Sequence, residues 1–250
     1  MKKGFTLIEL MIVIAIIAII AAIAIPGLLA AQRASNERNA SASLKTLTTA
    51  EADFRSNDRD GNRINDFWTV DVFALYGLIP LTGGATAPSG DVTVATNIIK
   101  LIEPSIAGAD MDSDHGEYDN ITFGASVVTG SPKAGYIYQK FEFQDDGGGP
   151  TPLENDTDGA GVLYGDCHDR NRFAFMAAPE SLSAGKLLFI VNADNTIWKY
   201  NLPAGYVVTY TVMSGVTDGS SSILGTGSPL LDDALTFPAS PGSIGFSKMD

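Results

Sequence analysis

The chain opens with residues 1–30, MKKGFTLIELMIVIAIIAIIAAIAIPGLLA, and this stretch decides how the remainder is organised. No polar side chain occurs from Leu10 to Ile25. As a helix, the segment from Phe5 to Ile25 would span roughly 30 Å, at about 1.5 Å per residue, which matches the hydrocarbon core of a bilayer. The stretch therefore predicts a helix that can cross a membrane.

Charged residues near the start of the segment refine this interpretation. Lys2 and Lys3 precede the apolar run, and because basic residues stay on the cytoplasmic side, we expect Met1 inside and the rest of the chain outside. Glu9 lies within the run, where an unpaired carboxylate costs a few kcal/mol. An ordinary secretory signal shares the charged start and apolar core, but its apolar core is shorter. We therefore expect Glu9 to have a partner.

The run Lys3-Gly4-Phe5-Thr6-Leu7-Ile8-Glu9, followed by the apolar helix, resembles the class III signal of type IV prepilins and type II secretion pseudopilins. The resemblance covers about residues 1–56. It implies that residues 1–4 are a leader, which a membrane-embedded prepilin peptidase removes after Gly4. It further implies methylation of the new amino terminus at Phe5 and a role for Glu9 in assembly.

A proline and a glycine divide the predicted helix into residues 5–29, a membrane or filament-core segment, and residues 30–56. Pro26 and Gly27 are expected to kink the helix or melt about one turn, and Pro26 matches the proline that bends or loosens the family's helix. Beyond them, apolar residues recur at helical spacing at Ala40, Leu44, Leu47, Ala50 and Phe54. Charged residues occupy the other positions: Arg33, Glu37, Arg38, Lys45, Glu51 and Arg55. The pattern predicts an amphipathic helix that packs on a domain.

Residues 57–213 have the pattern of a globular α+β domain. Phe67 to Leu78 is typical of a short helix. Five short segments rich in aromatic and β-branched residues are predicted strands: 136–143, 172–176, 186–191, 196–200 and 206–212. Asn192 to Asn195 is the clearest hairpin connection. An antiparallel sheet packed on the helical spine would bury both apolar faces, and the pilin resemblance implies the same fold.

The last segment, residues 214–250, is rich in Gly, Ser and Pro. Two interpretations fit it, an extended arm or a loop-rich cap. Phe237 and Phe246 indicate that parts of it dock on the domain.

An acidic loop follows the predicted spine. Oxygen-bearing residues alternate from Asp58 to Asp66 around a glycine, as in loops that wrap a hard cation. The predicted calcium ligands are Asp58, Asp60, Asn62, Asp66 and the carbonyl of Ile64. The spacing departs from the EF-hand, since Thr69 stands where a bidentate glutamate belongs. A solvated turn rich in Asp and Asn fits the same residues.

A second acidic cluster repeats the alternation and is the weaker metal candidate. Its carboxylates are Asp110, Asp112 and Asp114. No cofactor is required by any motif in the chain, and calcium is the ion that the two clusters would take.

Composition excludes several classes of function. The net charge is −13, and loss of Lys2 and Lys3 with the leader would make it −15, which disfavours nucleic-acid binding through the bulk surface. The single cysteine, Cys167, permits no intrachain disulfide. Cys167 and His168 are neighbours in sequence only, so we expect no catalytic pair and no enzyme.

The resemblance implies a structural subunit that polymerises with copies of itself through its N-terminal helix. Its partners would be prepilin peptidase and a pilus or secretion assembly machinery. The precursor would cross the inner membrane once, and the product would be a cell-surface pilus. Two alternatives remain: a major or minor pseudopilin of a periplasmic pseudopilus, and a membrane-anchored binding domain that keeps its helix uncut.

Overall fold

A computed structural model of the protein describes residues 5–59, 65–69, 72–76, 100–110, 131–141, 143–145, 147–153, 168–205, 210–211, 222–223 and 236–249. A single long helix, α1 (Leu7–Asn57), dominates it and contains 51 residues. At about 1.5 Å per residue, α1 is roughly 75 Å long. It ends at Asp58, whose backbone is left-handed (φ 47°) and whose N–H donates to the carbonyl of Phe54. The predicted spine is thus present and ends one residue beyond the predicted boundary.

The helix continues through Pro26 and Gly27. The expected loss of about one helical turn at these residues therefore does not occur. Proline has no amide hydrogen, so one backbone hydrogen bond of the helix, to the carbonyl of Ala22, is missing there. The neighbouring turns keep their hydrogen bonds and hold the helical path. A bend at Pro26 stays a prediction.

The rest of the described chain consists mainly of short strands. In chain order they are β1 (Phe67–Trp68), β2 (Tyr136–Lys140), β3 (Phe143–Asp145), β4 (Pro150–Pro152), β5 (His168–Asp169), β6 (Ala174–Pro179), β7 (Leu187–Asn192), β8 (Ile197–Asn201), β9 (Tyr210–Thr211), β10 (Ser222–Ile223), β11 (Thr236–Phe237) and β12 (Ser247–Lys248). A second helix, α2 (Pro104–Ala107), and two 3-10 helices (Phe73–Tyr76 and Pro241–Ile244) complete the described elements.

The central sheet has the order β12-β8-β7-β6-β2, and every neighbouring pair in it is antiparallel. Its β7–β8 hairpin turns at residues 193–196, as the sequence predicts. Smaller pairings join β1 to β5 and β9 to β10, while β3 lies between β4 and β11. A long apolar helix followed by an antiparallel sheet domain confirms the predicted α+β fold.

Side chains of the central sheet alternate between two cores because successive residues of a strand point to opposite faces. Phe175 and Phe189 lie in the core that contains the buried residues of α1. The predicted helical stripe is confirmed, with relative exposures of 0 to 3% at Ala40, Leu44, Leu47, Ala50 and Phe54. Met176 and Ile190 lie in the second core, on the opposite face, where Phe237 and Phe246 are also buried. These two residues of the C-terminal region dock as predicted.

The predicted helix at residues 67–78 is wrong at its start. Phe67 and Trp68 form the strand β1, which pairs with β5. Among the residues of this range that the structure describes, 67–69 and 72–76, the helical part is Phe73–Tyr76, a single 3-10 turn. The aromatic residues pack individually instead of forming one helical stripe: Trp68 contacts Phe54 of α1, and Phe67 contacts Phe173. Of the predicted strand 206–212, only Tyr210–Thr211 belongs to the described residues, and it is a strand.

Candidate functional site

The most unusual surface of the protein is the first half of α1. Its large apolar side chains are exposed, from 46% at Leu29 to 86% at Phe5. Soluble monomers rarely expose an apolar surface of this extent. Within the described residues, α1 is also the one helix long and apolar enough to cross a membrane. This half of the helix therefore needs lipid or other protein around it.

A capping box begins the helix. The Glu9 carboxylate accepts hydrogen bonds from the Thr6 amide (2.9 Å) and the Thr6 hydroxyl (2.6 Å), while the Glu9 amide donates to the Thr6 hydroxyl oxygen (3.4 Å). These contacts satisfy backbone donors that a helix start leaves open. Glu9 thus has a partner within its own chain. Phe5 lies just before the cap, and Gly4 lies outside the described residues.

The globular domain contacts α1 just beyond the exposed apolar half of that helix. The turn between β6 and β7, residues 181–186, approaches one side of the helix, and three side chains of α1 bond to its backbone. These bonds are Arg33 Nε to the Ser183 carbonyl (3.3 Å), Asn36 Nδ2 to the Ala184 carbonyl (2.9 Å) and the Lys186 amide to Glu37 Oε1 (2.9 Å). Positions 33, 36 and 37 share one face of a helix. We call this contact the junction.

Close packing behind the junction depends on a glycine. The Tyr136 hydroxyl donates to the carbonyl of Leu187 at 2.8 Å, and burial raises the pKa of Tyr136 above its usual range. A Cβ atom at Gly185 would overlap that hydroxyl. Any larger residue at position 185 would therefore displace either the turn or the Tyr136 ring.

The other end of α1 holds a buried carboxylate. Glu51 is 0% exposed, and its Oε2 accepts a hydrogen bond from the Trp68 amide at 3.0 Å. Burial raises the pKa of Glu51 well above its ordinary value, and the Asp66 charge raises it further against the effect of the Trp68 hydrogen bond. The sequence pattern predicts Glu51 on the polar side of the helix, and this prediction is wrong. Its distance of four residues from Leu47 and three from Phe54 places it on the buried stripe.

The residues of the first predicted calcium loop fall in different environments. Asp58 is half-buried at the end of α1, and Asp66 is 3% exposed in the core. Asp60, Asn62 and Ile64 lie outside the described residues. In the part of the chain that the structure describes, no three His, Cys, Asp or Glu residues are grouped to hold a metal ion. The loop's calcium site stays a prediction.

Of the second acidic cluster, the structure describes one carboxylate, Asp110, which is 0% exposed. Its Oδ2 accepts hydrogen bonds from the amides of Val72 (2.9 Å) and Phe73 (2.8 Å), so this carboxylate fixes the start of the 3-10 helix. Asp112 and Asp114 lie outside the described residues. A metal ion at this cluster also stays a prediction.

Sequence reasoning did not single out Thr6 or Asn36. The Thr6 cap had a readable signal, since Thr-x-x-Glu before an apolar run is the pattern of a capping box. Asn36 had none, because its partner lies 148 residues away and is a backbone carbonyl.

Comparison with known proteins agrees with this architecture. Residues 1–25 match the family described as the prokaryotic N-terminal methylation motif. The type IV major pilin protein PilA of Myxococcus xanthus (strain DK1622) is 36% identical over 177 residues, which cover 69% of this chain and 71% of that protein. No solved structure matches the chain. A methylation motif on an exposed apolar helix, a sheet domain packed on its second half and this extended identity together show that the chain belongs to the type IV pilin family.

Proposed function

We propose that the protein is the subunit of a type IV pilus, assembled by packing the apolar half of α1 against the same segment of neighbouring copies. The observation that carries this proposal is the exposed apolar surface from Phe5 to Leu29. Lipid covers that surface in the precursor. In a filament, other copies of α1 would replace the lipid, so that the surface is never exposed to water.

Processing would precede assembly. Prepilin peptidase would cut between Gly4 and Phe5 and release the two lysines of the leader. The methylation motif at residues 1–25 supports cleavage and methylation at Phe5. In the inner membrane the precursor would have its N terminus in the cytoplasm and its sheet domain outside, and the filament would extend from the cell surface.

Glu9 would act at the growing end of the filament. Its carboxylate is held by Thr6 in the single chain, and the same oxygen atoms can accept a hydrogen bond from the methylated Phe5 amine of an adjacent copy. An ion pair in an apolar bundle is strong because little water screens it. When the Glu9 carboxylate exchanges Thr6 for the Phe5 amine of the adjacent copy, this new contact would set the depth at which the incoming helix docks.

A pseudopilin of a type II secretion system is the second candidate, because the N-terminal motif is common to both groups. The resemblance to a major pilin over most of the chain favours the pilus. We assign no catalytic role, since type IV pilins are structural subunits. An uncut membrane anchor would leave the methylation motif unused.

Electron microscopy of cells with and without the gene tests the proposal. We expect surface filaments in the parent, their loss in the deletion strain and their return when the chain is supplied again. Antibody against the sheet domain should label the filaments along their length. Filaments that persist in the deletion strain, without that label, would contradict the proposal. Loss of protein secretion with no change in surface filaments would identify a pseudopilin instead.

A further inference from the structure

One end of the central sheet faces the apolar half of α1. The turn at residues 181–186, just before β7, receives its bonds from α1 around Glu37. At the other end of β7 the helix is met further along, where the Thr48 hydroxyl donates to Asn195 Oδ1 at 3.2 Å. The strand β7 therefore runs along α1, away from the apolar half.

Two further segments reach the same end of the sheet. In the β7–β8 pair, Leu187 lies opposite Asn201, so the chain leaves β8 at this end. The strand β12 is antiparallel to β8, with Ser247 opposite Lys199, so the 3-10 helix that precedes β12 comes to this end as well. We call this end of the sheet the rim. It consists of residues 181–186, 201–205 and 241–244.

The rim lies where α1 would leave a bilayer. Leu29 is the last large apolar side chain of α1 that is exposed. Arg33, which bonds to the rim at Ser183, follows it by about one helical turn, or roughly 6 Å. The headgroup layer on each side of the hydrocarbon core is roughly 5 to 7 Å thick. When the apolar half spans a membrane, the rim is therefore level with the headgroups.

An apolar side chain and a basic one point to the same kind of surface. Among the described residues outside α1, Ile244 of the rim is the one large apolar side chain that is exposed, at 38%. Lys186 of the rim is also exposed, and the junction uses its backbone amide, so its ammonium group plays no part in that contact. Exposed apolar and basic side chains together are typical of protein surfaces that lie at a membrane interface.

The charge around the junction differs from that of the whole chain. Three cations, Arg33, Arg38 and Lys186, lie there with two carboxylates, Glu37 and Glu180. The whole chain has a net charge of −13. Anionic headgroups attract cations and repel an acidic protein, so this end of the domain is the one that suits them.

We propose that, before assembly, the rim contacts the anionic phospholipid headgroups of the membrane that α1 spans, with Lys186 beside the phosphates and Ile244 inserted among the lipids. The proposal rests on the proposed function in one respect, that a precursor is stored with α1 across the membrane. The contact would hold the sheet domain against the membrane surface. A subunit that enters a filament would break it as it leaves the lipid.

Fluorescence quenching by headgroup-attached nitroxides measures the contact on the full chain. Cys167→Ser removes the native thiol, and a fluorophore is attached at Ser243→Cys, an exposed rim position that leaves Ile244 and Lys186 intact. Asp194→Cys, in the turn at the far end of β7, is the matched control. In vesicles of phosphatidylcholine with phosphatidylglycerol, we expect strong quenching at position 243 and little at position 194.

A pair of variants tests the charge. Lys186→Gln should shift the ratio of contacting to lifted domains about fivefold toward the lifted state, the factor expected for one cation beside an anionic surface. Lys45→Gln should leave the quenching unchanged, because Lys45 is an exposed cation of α1 roughly 24 Å beyond Leu29, about three Debye lengths at physiological salt. Phosphatidylcholine alone should give weaker quenching at position 243.

A third label separates this proposal from the proposed function. A fluorophore at Ile16→Cys should be quenched by nitroxides on the acyl chains when α1 spans the membrane. Quenching at position 16 without quenching at position 243 would overturn the rim contact and leave the filament subunit intact. No quenching at position 16 would contradict the stored precursor, and the rim contact with it. Quenching at position 243 that is equal with and without phosphatidylglycerol, and unchanged in Lys186→Gln, would overturn the contact with anionic headgroups.

Discussion

The side-chain amide of Asn36 lies 2.9 Å from the carbonyl oxygen of Ala184, and this hydrogen bond joins the spine helix to a turn 148 residues further along the chain. It lies between Leu29, the last large apolar side chain of the spine that is exposed, and Ala40, the first residue of α1 buried in the core. With its neighbours at the junction, it fixes where along α1 the domain begins. The junction therefore sets the length of α1 that the domain leaves uncovered and available for packing.

Replacing Asn36 tests the junction. Asn36→Ala removes one partly buried hydrogen bond, so we expect a loss of about 0.5 to 1.5 kcal/mol in the free energy of unfolding. Asn39→Ala is the matched control, because Asn39 is an exposed residue on the same helix. Chemical denaturation of the full chain in detergent gives both values. Equal effects of the two substitutions would mean that the junction hydrogen bond contributes nothing.

The two halves of α1 should respond differently to the same kind of substitution. Leu44 is 0% exposed in the domain core, and Leu44→Ala should lower the free energy of unfolding of the domain by about 2 to 5 kcal/mol. Ile16 is 51% exposed, so Ile16→Ala should leave domain unfolding in detergent unchanged. A comparable loss for Ile16→Ala would show that the apolar half packs on the domain.

A pair of variants can separate the capping role of Glu9 from its proposed role in assembly. Thr6→Val removes the hydroxyl of the capping box but keeps the carboxylate. Glu9→Ala removes the carboxylate, which is both one half of the capping box and the proposed partner of the neighbouring amine, but keeps the amide that donates to the Thr6 hydroxyl. We expect Glu9→Ala to insert and be cut but to enter filaments poorly, and Thr6→Val to assemble well. Sheared filament protein, measured against total subunit, reports the difference. Normal yield from Glu9→Ala would refute the assembly role.

Acid should weaken the contact between α2 and the strand region. Lys133 forms an ion pair with Glu103 and also donates to Ser43 Oγ on α1 (3.0 Å). The Lys133 hydrogen bond lowers the pKa of Glu103 below its ordinary value of 4.5, against a smaller effect of burial. A lowered folded pKa means that the unfolded state binds more protons, so this stabilisation is present above pH 4.5 and is lost as pH falls through the lowered pKa.

The pH dependence has a simple control. In Glu103→Gln the residue no longer titrates, so unfolding midpoints of this variant should fall less than those of the parent as pH drops below about 4.5. Parallel curves for the two proteins across that window would show that the ion pair does not contribute.

The spine and the sheet could be predicted because each has a local periodic signal. Leu44, Leu47 and Phe54 repeat at helical spacing, and the strands around Phe175 and Phe189 are short apolar segments between turns. Glu51 was missed because its charge was taken as a sign of exposure, although its spacing from Leu47 and Phe54 places it on the buried face. For Glu51, the position on the helix predicts burial better than the charge of the side chain does.

The contacts of the junction and of the C-terminal region could not be predicted from the sequence, for a different reason. The bond from Asn36 ends on a backbone carbonyl, which any residue at position 184 would supply, so no residue pattern marks it. The docking of Phe246 was predictable from its size, but its partner, the Tyr200 ring at 5.2 Å, depends on how β12 pairs with β8. Long-range contacts of this kind are properties of the assembled fold.

The central claim is that this chain is processed and then polymerised through α1, and the mass of its N-terminal peptide in sheared surface filaments tests it most directly. We predict a peptide that begins at Phe5 and carries one methyl group on its amine. Replacement of Gly4 by a bulky residue should leave only full-length precursor in the membrane. Recovery of a chain that begins at Met1, confined to the membrane of cells that form normal filaments, would contradict the account.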